Sequence, residues 1–126
     1  YPVDYQRIRL MAARNDLYIH MGVKKIEILT ALRIIIKKDP GSIVASQILP
    51  SIEENRDVAL TDLSDLLLLR ILGYKHFLLS DNLCMKEDSF DQVMEVWDEF
   101  MEQIRKHEEA LKRKHNARKK KKKGAS

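Results

Sequence analysis

Apolar positions along the chain change period several times, and each change marks an element. Residues 8–13 predict a first strand, and in the stretch from Leu10 to Ile19 an apolar run breaks abruptly into Arg14-Asn15-Asp16. That is the pattern of a buried strand delivering polar side chains at its carboxyl end, where ligands sit in parallel α/β sheets. Tyr5-Gln6-Arg7 before it reads as the end of a helix or a connection. After Asp16 the spacing becomes helical: Ile26, Ile28, Leu29, Leu32, Ile34, Ile35 and Ile36 precede Lys37-Lys38, which suit the negative end of a helix dipole. Asp39-Pro40-Gly41 stops the helix.

Residues 42–46, short and β-branched, predict a second strand ending at Ser46-Gln47. Residues 63–72 are nearly all apolar, with Thr61, Asp62 and Ser64 as capping residues around their start and Gly73 in the C′ position after them. A helix apolar nearly all round is expected to be buried. Residues 76–80 predict a third strand, ending in Ser80-Asp81-Asn82. Ser89-x-x-Gln92 resembles a capping box and opens a long helix. Its inward face is read from Phe90, Val93, Met94, Trp97, Phe100, Met101 and Ile104. Residues 107–118 continue it without an apolar face, and Lys119 to Lys123 are expected to stay disordered. The order is strand and helix three times over, with parallel strands as the default.

Composition narrows the class. A chain of 126 residues is one domain long, and no apolar run nears the roughly 18 residues of a membrane span. One cysteine, Cys84, excludes an internal disulfide framework and fits a reducing compartment. His20, His76, His107 and His115 lack metal-ligand spacing. Met11, Met94, Met101 and Trp97 read as core fillers. With Tyr1 first and no leader pattern, the sequence reads as a fragment or a processed piece, without a signal peptide.

The net charge of +4 is a sum of opposites. From Arg105 onward there are 11 Lys and Arg against two Glu, or +9; the remaining 12 Lys and Arg against 17 acids give −5. A mildly acidic body thus carries a basic tail. The run at 112–123 is either a solvated terminus or a contact for nucleic acid or an acidic surface, and also has the form of a nuclear-import signal. It holds no aromatic residue, so it offers no stacking platform for single strands.

At the strand ends the residues resemble a known family. Met11-Ala12-Ala13-Arg14-Asn15-Asp16-Leu17 is similar to the M-V-A-R-G-D-L of pyruvate kinase. Val44-Ala45-Ser46-Gln47-Ile48-Leu49 is similar to its C-A-T-Q-M-L, Leu63-Ser64-Asp65 to its V-S-D, and Phe77-Leu78-Leu79-Ser80 to its V-M-L-S. The resemblance covers roughly residues 5–104. It implies the last three strand and helix units of a (β/α)8 barrel: a partial TIM-type barrel over residues 1–104, followed by a basic helical extension and tail over 105–126. Three such units would leave open sheet edges, so the missing barrel strands or a homologous subunit are the implied partners.

The resemblance also implies roles. Asp16 corresponds to the aspartate that holds the divalent ion, Mg²⁺ or Mn²⁺, bridging phosphoenolpyruvate. Asn15 and Asp16 would offer backbone N–H groups to the substrate carboxylate. Ser46 stands for the family's threonine near the reacting enolate, keeping the hydroxyl and losing the methyl. K⁺ is the implied monovalent cofactor.

Departures accompany these matches. The family's first glycine is Asn15, and its second, one position past the quoted motif, is Tyr18. S-G-E-T-A becomes Ser80-Asp81-Asn82-Leu83-Cys84, and the arginine of the P-T-R turn becomes Leu60 after Ala59. The K-I-E-N strand with its lysine and second metal carboxylate, the lid domain and the monovalent-cation site are not among these residues. One carboxylate cannot supply the positioned cations that phosphoryl transfer needs. The expectation is a cytoplasmic, catalytically impaired form, active only if a fuller chain completes the site. The alternative is a non-catalytic structural or interaction protein with a basic tail.

Overall fold

Three strands of three residues each, separated by helices, form the sheet. β1 spans Met11–Ala13, β2 Ile43–Ala45 and β3 His76–Leu78. They lie parallel in the order β1-β2-β3, with Ala12 beside Val44 and Val44 beside Phe77. The computed structural model describes residues 7–124, so the reading of Tyr5-Gln6 lies outside the described residues. Helices α1 (Arg14–His20), α2 (Ile28–Lys38), α3 (Pro50–Glu53), α4 (Leu60–Leu72), α5 (Asp81–Met85) and α6 (Glu87–Gly124) follow in chain order, with a 3-10 turn at Lys25–Glu27 before α2.

This architecture corrects the expected fold class of a partial (β/α)8 barrel. The chain is a small α/β domain with a three-stranded parallel sheet, not a barrel. Three strands of three residues, with β1 and β3 as edges, form an open sheet, whereas barrel closure needs more and longer strands inclined around an axis. Residues Tyr1–Phe90 and Asp91–Ser126 form two separate units. Among the described residues no helix is long and apolar enough to cross a membrane.

The core of the first unit forms where helix and sheet faces meet. Ala12 and Val44 are fully buried in the sheet, and Leu32, Ile36, Leu66, Leu69, Ile52 and Leu83 are buried on the helices. α2 packs on α1 and α4, and α3 packs on α5. Met11, read as a core filler, is 51 % exposed, because strand alternation gives the inward position to Ala12. In the second unit Val93 is buried while Met94 is 41 % exposed.

α4 departs from its expected all-round burial. Leu66 and Leu69 are buried, whereas Leu60, Leu67, Leu68 and Ile71 are exposed, since only one face is covered among the described residues. The expected caps are absent as well: Ala59 is the N-cap and no side chain caps the helix. Asp62 is instead buried, accepting from the Ser51 amide at 2.9 Å and from the Ser51 hydroxyl. Ser51 Oγ in turn accepts from the Ala59 amide at 3.0 Å, which ties α3 to the start of α4. Likewise Ser89 does not open the helix, because α6 already begins at Glu87 and Ser89 is buried within it.

At its other end α4 closes as the sequence predicts. Gly73 adopts φ +115°, its amide meets the Leu69 and Arg70 carbonyls, and the Tyr74 amide also reaches Leu69. The buried Tyr74 hydroxyl donates to the Leu32 carbonyl of α2 at 2.5 Å. Burial pushes the phenol up to about 12, against a smaller opposing effect of the neighbouring Ser42 hydroxyl. Ser42 Oγ meets hydrogen-bond geometry with no described residue, so Leu32 is the phenol's partner.

Asp39 fastens the amino ends of β1 and β2. Its buried carboxylate accepts from Arg9 Nη1 at 2.8 Å, the Leu10 amide at 2.9 Å and the Gly41 amide at 3.0 Å. Its backbone carbonyl accepts from Ser42, and the Ile43 amide then pairs with the Leu10 carbonyl. Burial by itself would raise this carboxyl, but the Leu10 amide, Arg9 and the Gly41 amide together hold it below the ordinary aspartate value.

Two outcomes follow for stability. Gly73→Ala forces a Cβ into the left-handed region, 3.3 Å from Ile36 Cγ1, and is expected to cost about 1–2 kcal/mol in urea unfolding. The Asp39 contribution is full above the unfolded carboxylate value and disappears as pH falls through the lower folded one. Melting temperature recorded from pH 6 to pH 2 (roughly the span over which carboxylates titrate) should therefore fall less steeply in Asp39→Asn than in the parent chain.

Candidate functional site

The carboxyl ends of parallel strands bring together residues distant in sequence. Ala13 and Ala45 are register partners, as are Ala45 and Leu78. The segments leaving the sheet at Arg14, Ser46 and Leu79 therefore start level with one another.

Arg14 organises this end. It is the first residue of α1, which begins directly after β1 with Ala13 as an extended N-cap. Nη1 and Nη2 meet the two Asp65 carboxylate oxygens at 2.6 and 2.8 Å, a two-pronged pairing that a planar guanidinium can make and an ammonium cannot. Nε and Nη2 donate to the Ser46 carbonyl at 3.0 and 2.8 Å, and Nη2 also donates to the Gln47 carbonyl at 2.9 Å. The Arg14 side chain is 13 % exposed, so this pairing is partly withdrawn from water.

The segment held by Arg14 is unusual in its backbone. Ser46, Gln47 and Leu49 have φ of 76°, 59° and 53°, in the left-handed region that residues with a Cβ occupy at a cost of about 1–2 kcal/mol each. No glycine relieves the segment. Its conformation turns the Ser46 and Gln47 carbonyls onto one guanidinium, and those charge-assisted bonds offset the backbone cost. Strain of this kind at a strand's carboxyl end is where binding segments are found.

Beside it lies a cleft of about 120 Å³, lined by Ser46, Gln47, Ile48, Glu53, Leu78, Leu79 and Ser80. It sits over the ends of β2 and β3. Glu53 accepts from Asn82 Nδ2 at 3.0 Å, linking α3 to α5. Ser80 caps α5 through its hydroxyl, which accepts from the Leu83 amide at 3.4 Å.

The three residues singled out from sequence divide between these features. Ser46 borders the cleft and gives its carbonyl to Arg14. Asn15 and Asp16 occupy the first turn of α1, exposed, and do not line the cleft. Asp16 has no hydrogen-bond or ion-pair partner among the described residues. Tyr18, standing at the motif's second glycine position, is 46 % exposed, with Lys25 Nζ 4.2 Å from its ring centre and 3.0 Å from its carbonyl.

A divalent ion does not find a complete ligand set here. The described residues include no group of three His, Cys, Asp or Glu side chains placed to hold a metal. Asp16 would offer one hard oxygen, whereas Mg²⁺ requires about six, with one or two carboxylates among them. Asp16 would thus supply one corner of such a site.

Sequence reasoning missed two parts of the arrangement. Asp65 lies 51 positions from Arg14, and no local pattern announces a pairing at that separation. The left-handed turns at Gln47 and Leu49 carry no glycine or asparagine to betray them. Comparison of the chain with protein-family models, with curated proteins and with solved structures finds no match.

Removing the guanidinium strands a carboxylate and two carbonyls together. Arg14→Ala is expected to lose about 2–3 kcal/mol of stability, and Arg14→Lys to recover less than half of that. A double-mutant cycle with Asp65→Ala, followed by urea unfolding, should give a coupling of at least 1 kcal/mol (roughly the lower range for residues in one network).

Proposed function

We propose that the chain is a diverged pyruvate kinase-like protein that keeps the framework of a phosphoenolpyruvate site and does not, by itself, transfer the phosphoryl group to ADP. One observation carries this reading. The three separated stretches that resemble that family, containing Arg14, Ser46-Gln47 and Asp65, are joined by five hydrogen bonds from a single guanidinium. Segments that resemble one family and also form one physical cluster are less readily explained as independent chance matches.

The arrangement supports binding more than turnover. Asn15 and Asp16 present first-turn amides of α1, which lack intrahelical acceptors and would meet a substrate carboxylate. The Ser46 hydroxyl would stand on the neighbouring strand end, near the reacting enolate. Arg14 is committed to Asp65 and to two carbonyls, so its charge serves the framework and not the transferring phosphate. Mg²⁺ or Mn²⁺ at Asp16 would need further ligands, and the described residues gather no group of three His, Cys, Asp or Glu side chains for it; K⁺ would be the monovalent partner the resemblance implies. Because phosphoryl transfer depends almost wholly on positioned cations, the chemical step is the part most impaired.

A second role has its own support. Residues 105–124 continue α6 fully exposed, with 11 Lys and Arg against two Glu, and residues 112–123 would contact nucleic acid or an acidic partner.

A pyruvate-release assay with phosphoenolpyruvate, ADP, Mg²⁺ and K⁺ is expected to give no turnover above an Asp16→Ala, Ser46→Ala control. Turnover abolished by that double substitution would overturn the impaired reading. Phosphoenolpyruvate should still raise the melting temperature of the parent chain more than that of the control; equal shifts, or none, would remove the site itself.

A further inference from the structure

One stripe of α6 repeats every seven residues. Met94, Met101 and Glu108 occupy one position of the repeat and Trp97, Ile104 and Leu111 the other, so the spacing alternates between three and four. All but Glu108 are apolar, which is the pattern by which two helices pack side chains into one another's gaps. None of the six is buried. Met94 is 41 % and Leu111 53 % exposed, and Trp97, Met101 and Ile104 are partly exposed. Val93, beside this stripe, is by contrast already buried.

Charge along the same helix is segregated. Residues 91–104 hold five acids and no Lys or Arg, whereas residues 105–114 hold five Lys and Arg against two Glu. A helix that is acidic first and basic afterwards complements a second copy of itself when the two run in opposite directions. Parallel copies would set acid beside acid, and would bring Glu108 against Glu108 within the seam.

The seam also fixes a register. In an antiparallel pair with its two-fold axis between residues 102 and 103, Met101 faces Ile104 of the second copy, Met94 faces Leu111, and Trp97 faces Glu108. The two Glu108 carboxylates are then held apart at opposite ends of the contact. The same register sets Asp98 beside Arg105 of the second copy and Asp91 beside its Lys112, and symmetry forms each pair twice. Arg105 also bridges Glu102 and Glu109 of its own chain, both at 2.6 Å, so Asp91 with Lys112 is the cleaner probe of the contact.

We propose that residues 91–114 of α6 pair with the same residues of a second copy as an antiparallel two-helix coil, making the protein a two-fold homodimer. Its apolar seam supplies the attraction, and the acidic and basic halves supply the direction.

The test uses the full chain. Sedimentation equilibrium over roughly 1 to 300 µM, the range suited to a modest interface, should show a monomer–dimer equilibrium. Asp91→Lys should weaken it about 5- to 10-fold, as should Lys112→Asp, and the two together should restore it to within about 2-fold. Helix content by circular dichroism, measured on each variant, keeps loss of pairing separate from loss of the helix. Direction is read by oxidising an equimolar mixture of Met94→Cys and Leu111→Cys chains, each also carrying Cys84→Ser, and weighing the products. The mixed disulfide is expected to dominate, since Met94 of one copy stands about 25 Å along the axis from Met94 of the other and a disulfide spans at most about 7 Å between Cα atoms. A monomer at every concentration overturns the proposal and leaves this stripe to a different protein. Like-with-like disulfides, a higher oligomer, or a dimer indifferent to Asp91→Lys overturns it as well.

Discussion

A planar cation set against the end of a parallel sheet is the constraint on which the site depends. Arg14 leaves β1, grips Asp65 of α4 with two prongs, and holds two consecutive carbonyls after β2. Each contact alone is modest. Together they stabilise three left-handed residues that have no glycine to ease them, and so define one wall of the cleft between β2 and β3. The Asp39 cluster does the corresponding work at the opposite end of the sheet, where β1 and β2 begin. Strands of three residues supply few ladder bonds of their own, so these two charged clusters fasten both ends of the β1–β2 pair.

Much of the layout was legible in the sequence. The three strands, the polar residues at their carboxyl ends, the helix ended by Asp39-Pro40 and the left-handed Gly73 all follow from period, β-branching and punctuation. What could not be read is short or non-local. α1 and α3 have seven and four residues, too few to show a helical period. Asp62 looks like a cap from its position and is instead a buried acceptor for Ser51, a choice made by tertiary packing. The barrel expectation failed for a different reason: short motifs describe strand ends, whereas closure is a property of how many strands there are and how long they run. α6 extends through Lys119–Lys123 to Gly124, where composition led to an expectation of disorder. Lysine is a good helix former and suits the negative end of a helix dipole, and both effects are local.

The candidate chemistry divides along the same line. Framework groups, Arg14 and Asp65, are satisfied by one another. Asp16, the group proposed to touch a metal, stands exposed, and the described residues include no group of three ligands placed to hold one. A site can retain its scaffold after losing its reagents, because scaffold residues also contribute to stability and reagents do not. That asymmetry underlies the proposal of a binding-competent, transfer-impaired protein.

The three donors around Asp39 bear on the durability of the chain as well as on its fold. Asp39 precedes Pro40, and an aspartyl–prolyl bond is the acid-labile link of a polypeptide, cut when the side-chain carboxyl attacks its own carbonyl carbon. In the folded protein that carboxyl is buried, kept ionised, and occupied by Arg9, Leu10 and Gly41. The arrangement that joins α2 to the sheet therefore also restrains the nucleophile. Covalent lifetime at this bond becomes a property of the folded state, and the chain is most easily severed only after it has come undone.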